Sequence, residues 1–588
     1  MFAFRVMFTA FFILYSFKAF IIMKNEKKKL EKPEWFKVKG YLHLTPNINS
    51  KFPNWITIAN QIKNPNYISK YCFFPLIHNI ILERRYKHVK QYNKFGVEIK
   101  DADGNTYKKR SHKEYNPKLG TYQSTAKARP IHYASHKDSL IFSYYSHLLN
   151  EGYKKILTSN TELDKSVTAY RKIVKIDEVT QKEIGKSTID FAFEIFEEIK
   201  NRAKDKDIAV LAFDIEKFFS SLNHQKLKEK WNEVMQYDSN FSCVDLNKDH
   251  FRVYKATTDF SYVLLDDLRV SKKHLNGKKA GFNESKLAHI RKKEGFKCFF
   301  ESNQDFRNQI RQKKLKVYKN PFWDKDKKIK KGIPQGLPIS ATLANIYLLD
   351  FDRIIIEKLV SSKMCYYRRY SDDIIIICNP DEIELVKEIV EKEMQNNLVS
   401  ISKEKTETFI FKHIEKKLVS HKLAKKYIDQ KEVNIEIPYS PLKYLGFEFR
   451  GYNINIKSAN ISKFYRKLIN VVKRRARRAK FAKAKDPFNP KTIFINQIKK
   501  LYNSHNKKFD KDSYNKKQRR KKYNLKYNSK KGFFEINHIS SKKTKRQSNY
   551  SRYVERSSDI MNELGIKKQI RKQKNVLFRA INKHLNKS

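Results

Sequence analysis

Cysteine is scarce in this chain. Cys72, Cys243, Cys298, Cys365 and Cys378 are scattered over 588 residues, and no two have Cys-x-x-Cys spacing. That excludes a disulfide framework and a cysteine zinc site, and it suits a reducing cytoplasm. Acids are short as well, with 62 Asp and Glu against 125 Lys and Arg, a formal charge of +63. Compositional drift can inflate lysine, but it does not produce arginine-rich stretches, so the natural partner is a long polyanion. An uninterrupted membrane-length apolar run is missing too. Residues 1–22 are apolar except for Arg5, Lys18 and two hydroxyl residues. Lys18 breaks the roughly 20 apolar residues that a span needs. No small-residue cleavage site of the signal-peptide kind is present. We therefore read Met23 as the start in preference to an anchor over 1–22, and expect no membrane partner. Internal repeats are absent, and the tail holds no nuclease or protease signature.

Aromatics are abundant: the 33 Tyr and 41 Phe offer stacking surface, although most belong in cores. The most informative stretch is Tyr366-Tyr367-Arg368-Arg369-Tyr370-Ser371-Asp372-Asp373-Ile374-Ile375-Ile376-Ile377-Cys378. Its flanks are aromatic or β-branched around a polar centre, which predicts a β-hairpin with two carboxylates at its tip. The isoleucine run suits a strand buried on both faces. Carboxylates at such an edge need a counter-ion, and a divalent metal is the natural one. Residues 208–219 read as a second buried strand, ending in Asp214 and followed by Phe218-Phe219. Residues 332–347 hold a Pro334-Gln335-Gly336 turn that feeds a helix of small and apolar residues.

In order, these three stretches resemble motifs A, B and C of reverse transcriptases: an Asp ending a strand, Pro-Gln-Gly before a helix, then Tyr-x-Asp-Asp. Residues 129–135 and 169–173 resemble the family's fingers motifs, with 138–153 read as a helix and 169–173 as a strand. Residues 398–407 and 444–449 resemble motifs D and E, so the resemblance runs from about 126 to 450. More than a hundred residues separate motifs A and B, as in the unknown-group, defence-associated enzymes of bacteria, including the abortive-infection class. The domain division expected is a segment 1–22, an extension 23–125, fingers and palm 126–450 with an insertion at about 240–330, and a basic helical region 451–588. No function is assigned to 30–125, where a polar stretch lies around 101–105. Helices are expected at 187–203 (capped by Ser187 or Thr188) and at 381–394, with one or two closing helices over 550–586 and an unstructured Lys/Asn-rich arm at 507–531.

The resemblance implies an α+β right-hand polymerase fold, fingers and palm, with a mainly α-helical thumb and C-terminal region. It implies two Mg²⁺ ions held by Asp214 and Asp372 with Asp373 assisting. Lys405 would protonate the leaving pyrophosphate, with Lys403 a near alternative. Phe219 would sit beneath the sugar and select deoxynucleotides, unless it is core and Phe218 has that role. Gln335 and Gly336 would meet the nucleotide, and Arg171 or Lys172 the triphosphate. Tyr444, Leu445 and Gly446 resemble the primer grip, and Arg474, Arg475, Arg477 and Arg478 would follow the duplex backbone.

The expected activity is RNA-templated DNA synthesis in bacterial anti-phage defence, with an RNA template, a DNA product, a dedicated non-coding RNA and self-association. Three alternatives stay open. A retron- or group II intron-type enzyme shares the chemistry, although the C-terminus lacks a zinc-ligand or His-Asn-His pattern. An RNA-dependent RNA polymerase is opposed by Phe219 and by Tyr-Ser-Asp-Asp. A non-catalytic RNA-binding protein is opposed by the three aspartates. The primer stays open: RNA, DNA or a tyrosine hydroxyl of the arm (Tyr514, Tyr523 or Tyr527).

Overall fold

The computed structural model describes residues 32–586 except 46–47, 49–52, 84–86, 94, 101–105, 118, 177–180, 182, 238–244, 270, 273–280, 283–297, 301, 325–327, 429–430, 487, 489–492, 494–497, 499–517, 529–532 and 545–548. The apolar segment 1–22, the polar stretch 101–105 and Tyr514 lie outside the described residues. So does much of the expected insertion. No helix among the described residues is long and apolar enough to cross a membrane.

The chain forms two compact units. The first comprises Met1–Asp164, Ile215–Arg353 and Glu393–Ser400. Its main sheet runs in the order Tyr318–Lys319, Ser261–Leu264, Leu76–Glu83, Lys127–Tyr133. Two of those strands, Ser261–Leu264 and Tyr318–Lys319, come from within the expected insertion. Ile77, Val263, Leu265, Phe306 and Leu315 make its core. Ser135 caps the helix His136–Thr158, its Oγ accepting from the Asp138 amide at 3.3 Å. Gly152 lets that helix approach the helix His224–Gln236, because a Cβ at 152 would lie 2.3 Å from the Val234 carbonyl oxygen. The helix Ser340–Tyr347 is short and buried along nearly its whole length, as a run of small and apolar residues requires.

The second unit comprises Lys165–Asp214, Ile354–Lys392 and Ile401–Ser588. Six antiparallel strands run in the order Tyr366–Tyr370, Asp373–Cys378, Ile208–Asp214, Glu407–Ile414, Lys417–Ile428, Lys431–Ile437. The hairpin expected over 366–378 is present, and Ile374 to Cys378 are all buried. Ile189, Ile195, Phe196 and Ile199 of the helix Thr188–Arg202 join Val210, Ile375, Phe409 and Phe447 in the core. That helix opens with a capping box in which Ser187 and Asp190 satisfy each other's backbone amides.

Two expectations about elements need correction. Residues 169–173 form a turn, not a strand: Tyr170 takes a left-handed φ of +59°, which breaks extension, and the strand is Val174–Ile176. Part of the expected unstructured arm is a strand, Gln518–Asn528, paired with Phe533–Thr544. The alternation Tyr523-x-Leu525-x-Tyr527 supplies strand formers that the surrounding lysines conceal. The tail closes with the helices Tyr550–Ile560, Leu564–Lys568 and Gln573–Ile581, rather than one or two.

Candidate active site

Asp214 ends its strand because the apolar run Ile208 to Phe213 carries it to the sheet edge. The neighbouring strand begins there too, and the register pairs Asp373 directly with Asp214. Tyr370 pairs with Asp373, so Ser371 and Asp372 are the two-residue tip of the hairpin. Three carboxylates from two distant parts of the chain thus share one sheet edge in the second unit. Asp214 is mostly covered, Asp372 half-buried and Asp373 exposed.

Crowding shows in the charge balance. Desolvation at the packed edge, then the like charges of Asp372 and Asp214, push the Asp373 carboxyl up to about 7, with Lys457 and Lys405 pulling the other way. Because Asp373 keeps an open face, this is the desolvation of a crowded rim and not of a sealed core. The Lys405 ammonium pairs with Asp214, and the Ser402 amide donates to the Asp214 carbonyl at 2.8 Å. Lys403, the near alternative, faces Glu391 at 3.8 Å. Lys457 was not singled out from sequence. It stands between the strand Ile454–Ile456 and the helix Ser458–Lys485, and a lone lysine there has no motif to mark it.

Hard oxygen donors under mutual repulsion suit a divalent cation such as Mg²⁺. Among the described residues no three acidic, histidine or cysteine side chains close into a chelating group. The donor chemistry of Asp214, Asp372 and Asp373 nonetheless fits the ion, since a cation offsets both the desolvation and the like charges that raise Asp373.

Val167 and Thr168 run beside the hairpin's outer strand. Val167 bridges to Arg369, and the Thr168 amide and hydroxyl donate to the Arg369 carbonyl at 3.0 and 3.1 Å. Arg171 turns back on this loop, its Nη1 donating to the Val167 carbonyl at 2.7 Å, while Lys172 is exposed.

The remaining candidates of the second unit divide by burial. Tyr444 is in the core and its hydroxyl has no hydrogen-bond partner, so its ring is closed to a strand of nucleic acid. Leu445 and Gly446 form the left-handed turn beside it, with φ of +41° and +95°, and the Gly446 carbonyl accepts from the Lys457 amide at 2.9 Å. On the helix Ser458–Lys485, Phe464, Leu468, Val472, Ala476 and Ala479 point inward. Arg474, Arg477 and Arg478 are exposed and Arg475 is half-buried.

The first unit holds the other candidates. Phe218 is buried and Phe219 only half so. The Phe219 carbonyl accepts from the Ile333 amide, and the Leu222 carbonyl from the Gly332 amide, both at 2.7 Å. These bonds lace the aromatic pair to the Pro-Gln-Gly turn. The Gln335 carbonyl accepts from the His132 amide at 2.8 Å. A Cβ at Gly336 (φ +117°) would sit 2.5 Å from the His132 carbonyl oxygen. Glycine is needed there for the turn to lie against the strand Lys127–Tyr133, and its outer face stays exposed.

No curated protein matches the chain. Solved structures that match the chain include apo telomerase from Candida tropicalis truncated from its C-terminal domain, at 13% identity over 68% of this chain and 60% of that chain, TM-score 0.31. Another is telomerase from Candida albicans in complex with a TWJ fragment of telomeric RNA, at 12% identity over 91% of this chain and 67% of that chain, TM-score 0.34. The apo telomerase of Candida tropicalis matches at 14% identity, TM-score 0.30, and the chain spans 56% of it. Residues 288–449 match the family model described as reverse transcriptase (RNA-dependent DNA polymerase). The region that bears the Pro-Gln-Gly turn, the Asp372–Asp373 hairpin and Lys405 thus matches the reverse transcriptase family model, a family of RNA-directed DNA polymerases and so of nucleotidyltransferases.

Proposed function

We propose that this chain copies RNA into DNA by metal-assisted nucleotidyl transfer at the edge formed by Asp214, Asp372 and Asp373. The observation that carries this reading is the register that sets Asp214 beside Asp373, with Asp372 in the adjoining tip. Asp214 and Asp372 hold the cations and Asp373 supports them. When bound, a pair of Mg²⁺ ions supplies charge neutralisation at the primer 3′-oxygen and at the triphosphate. Lys405, paired with Asp214, protonates the leaving pyrophosphate. Phe219 excludes a 2′-hydroxyl, Gln335 and Gly336 border the nucleotide, and Arg171 or Lys172 receives the triphosphate. Leu445 and Gly446 border the primer, and the arginines of the helix Ser458–Lys485 follow the duplex backbone. In this scheme residues 126–450 are fingers and palm, and 451–588 the thumb and C-terminal region.

We place the enzyme in the bacterial cytoplasm, in anti-phage defence, working on a dedicated non-coding RNA and associating with itself. The long segment between Asp214 and Gln335 supports this setting over a retron- or intron-type one. Template-dependent dNTP incorporation is the test. Asp214→Ala, or Asp372→Asn with Asp373→Asn, should abolish it in a folded protein, because no nearby group replaces a lost metal ligand. Incorporation by a folded Asp214→Ala protein would overturn the assignment. Phage plating on cells with the parent or the Asp214→Ala gene tests the setting separately, and equal plating would remove it.

A further inference from the structure

The tip that carries Asp372 holds an unusual backbone. Ser371 is buried and takes a left-handed φ of +62°, whereas Asp372 is not among the residues with positive φ. A two-residue hairpin loop with a positive φ at its first position alone has the pattern of a type II′ turn, which favours glycine at that position. The central peptide of such a turn joins Ser371 to Asp372, and its flip separates type I′ from type II′. A non-glycine residue keeps one flip only where its surroundings over-determine it.

Those surroundings include Arg369. It is a fully buried arginine, and its Nη1 donates to the Ser371 carbonyl at 3.3 Å. The Ser371 carbonyl belongs to the same peptide plane as the Asp372 amide, so holding that oxygen fixes how Asp372 leaves the turn. Arg369 is itself held, since the Thr168 amide and hydroxyl both donate to its carbonyl. Arg368, next in the chain, serves differently: its guanidinium lies 4.1 Å from the Tyr366 ring centroid, and its Nη1 donates to the Tyr367 carbonyl.

We infer that Arg369 is a positioning residue that holds the Ser371–Asp372 peptide in one flip and so aims the Asp372 carboxylate at its cation. The inference rests on the reading of Asp372 as a metal ligand. Mn²⁺ binding to the full chain, followed by the loss of the free-ion paramagnetic resonance signal, is the direct probe. A folded Arg369→Gln protein should bind Mn²⁺ about tenfold or more weakly, as when a metal ligand loses its orienting partner. Its kcat should fall about 10- to 100-fold with the dNTP KM within about threefold, the pattern of lost transition-state alignment. Arg368→Gln removes the same charge one residue away and should leave both readouts within about twofold of the parent.

Parent-like Mn²⁺ affinity in folded Arg369→Gln, or equal losses in Arg368→Gln, would overturn the inference. Should Arg369→Gln fail to fold, Thr168→Val decides. It removes one bond to the Arg369 carbonyl and should weaken Mn²⁺ binding by about threefold, and an unchanged affinity would overturn the inference. A parent that binds Mn²⁺ yet incorporates no dNTP would sink the polymerase reading. The Mn²⁺ losses would in that case still support the role of Arg369.

Discussion

Phe218 and Phe219 are chemically alike and adjacent, and only burial separates them. Phe218 is closed into the core, while Phe219 keeps part of its ring open beside the Pro-Gln-Gly turn. Phe219→Ala should therefore relax sugar selection with little loss of fold. We expect the dNTP/rNTP preference to drop by about tenfold or more, since a steric gate works by clash and not by attraction. Competing dNTP and rNTP incorporation on one template measures it, and an unchanged ratio would return Phe219 to the core. The elements that carry the three aspartates were legible because Asp214 ends an apolar strand run, Asp373 starts one and Asp372 stands in the polar tip between strands. Lys457 and Arg369 were not: the first acts through its charge on Asp373 and the second through the backbone it meets, and no local pattern records either.

Among the elements, the strand Lys127–Tyr133 has a double duty, pairing with Leu76–Glu83 and backing the Gln335–Gly336 turn. His78 and His132 face each other across that pairing, with Nδ1 and Nε2 3.0 Å apart. Burial, then the His78 charge, holds His132 down to about 3; burial likewise holds His43 down to about 3 against the raising effect of its Tyr133 carbonyl contact. Below their ordinary value near 6.5 these rings take up protons in the unfolded chain but not in the folded one. Their contribution is present above that value and is lost as pH falls from about 6.5 toward 3, by up to about 1.4 kcal/mol per pH unit for each ring. Urea unfolding from pH 7.5 to 5 should show this decline, and His132→Gln should flatten it; parallel curves would show that His132 does not contribute. The hairpin at 366–378 was readable because its turn is polar between apolar flanks. The Gln518–Asn528 strand was not, because lysine and asparagine between its alternating Tyr and Leu residues imitate a solvated loop.

At the scale of the whole molecule, charge is the dominant property: +63 over 588 residues, with no membrane-length apolar helix among the described residues. A polyanion bound to such a chain releases condensed counter-ions, so RNA affinity should fall steeply with salt. The helix Ser458–Lys485 is where part of that effect is expected. Its inward residues Val472, Ala476 and Ala479 dock it on the core, which leaves Arg474, Arg477 and Arg478 facing outward. Replacing those three with glutamine keeps helix propensity and the docked face, and removes only charge. If each meets one phosphate of a duplex, the slope of log affinity against log salt should become shallower by about 0.9 per arginine, or about 2.7 in all. Arg475→Gln should change it less, because that side chain is already half-buried. Binding of an RNA–DNA duplex measured across a salt series decides the point. Parallel slopes for parent and triple variant would move the duplex path off this helix and onto other basic faces of the chain.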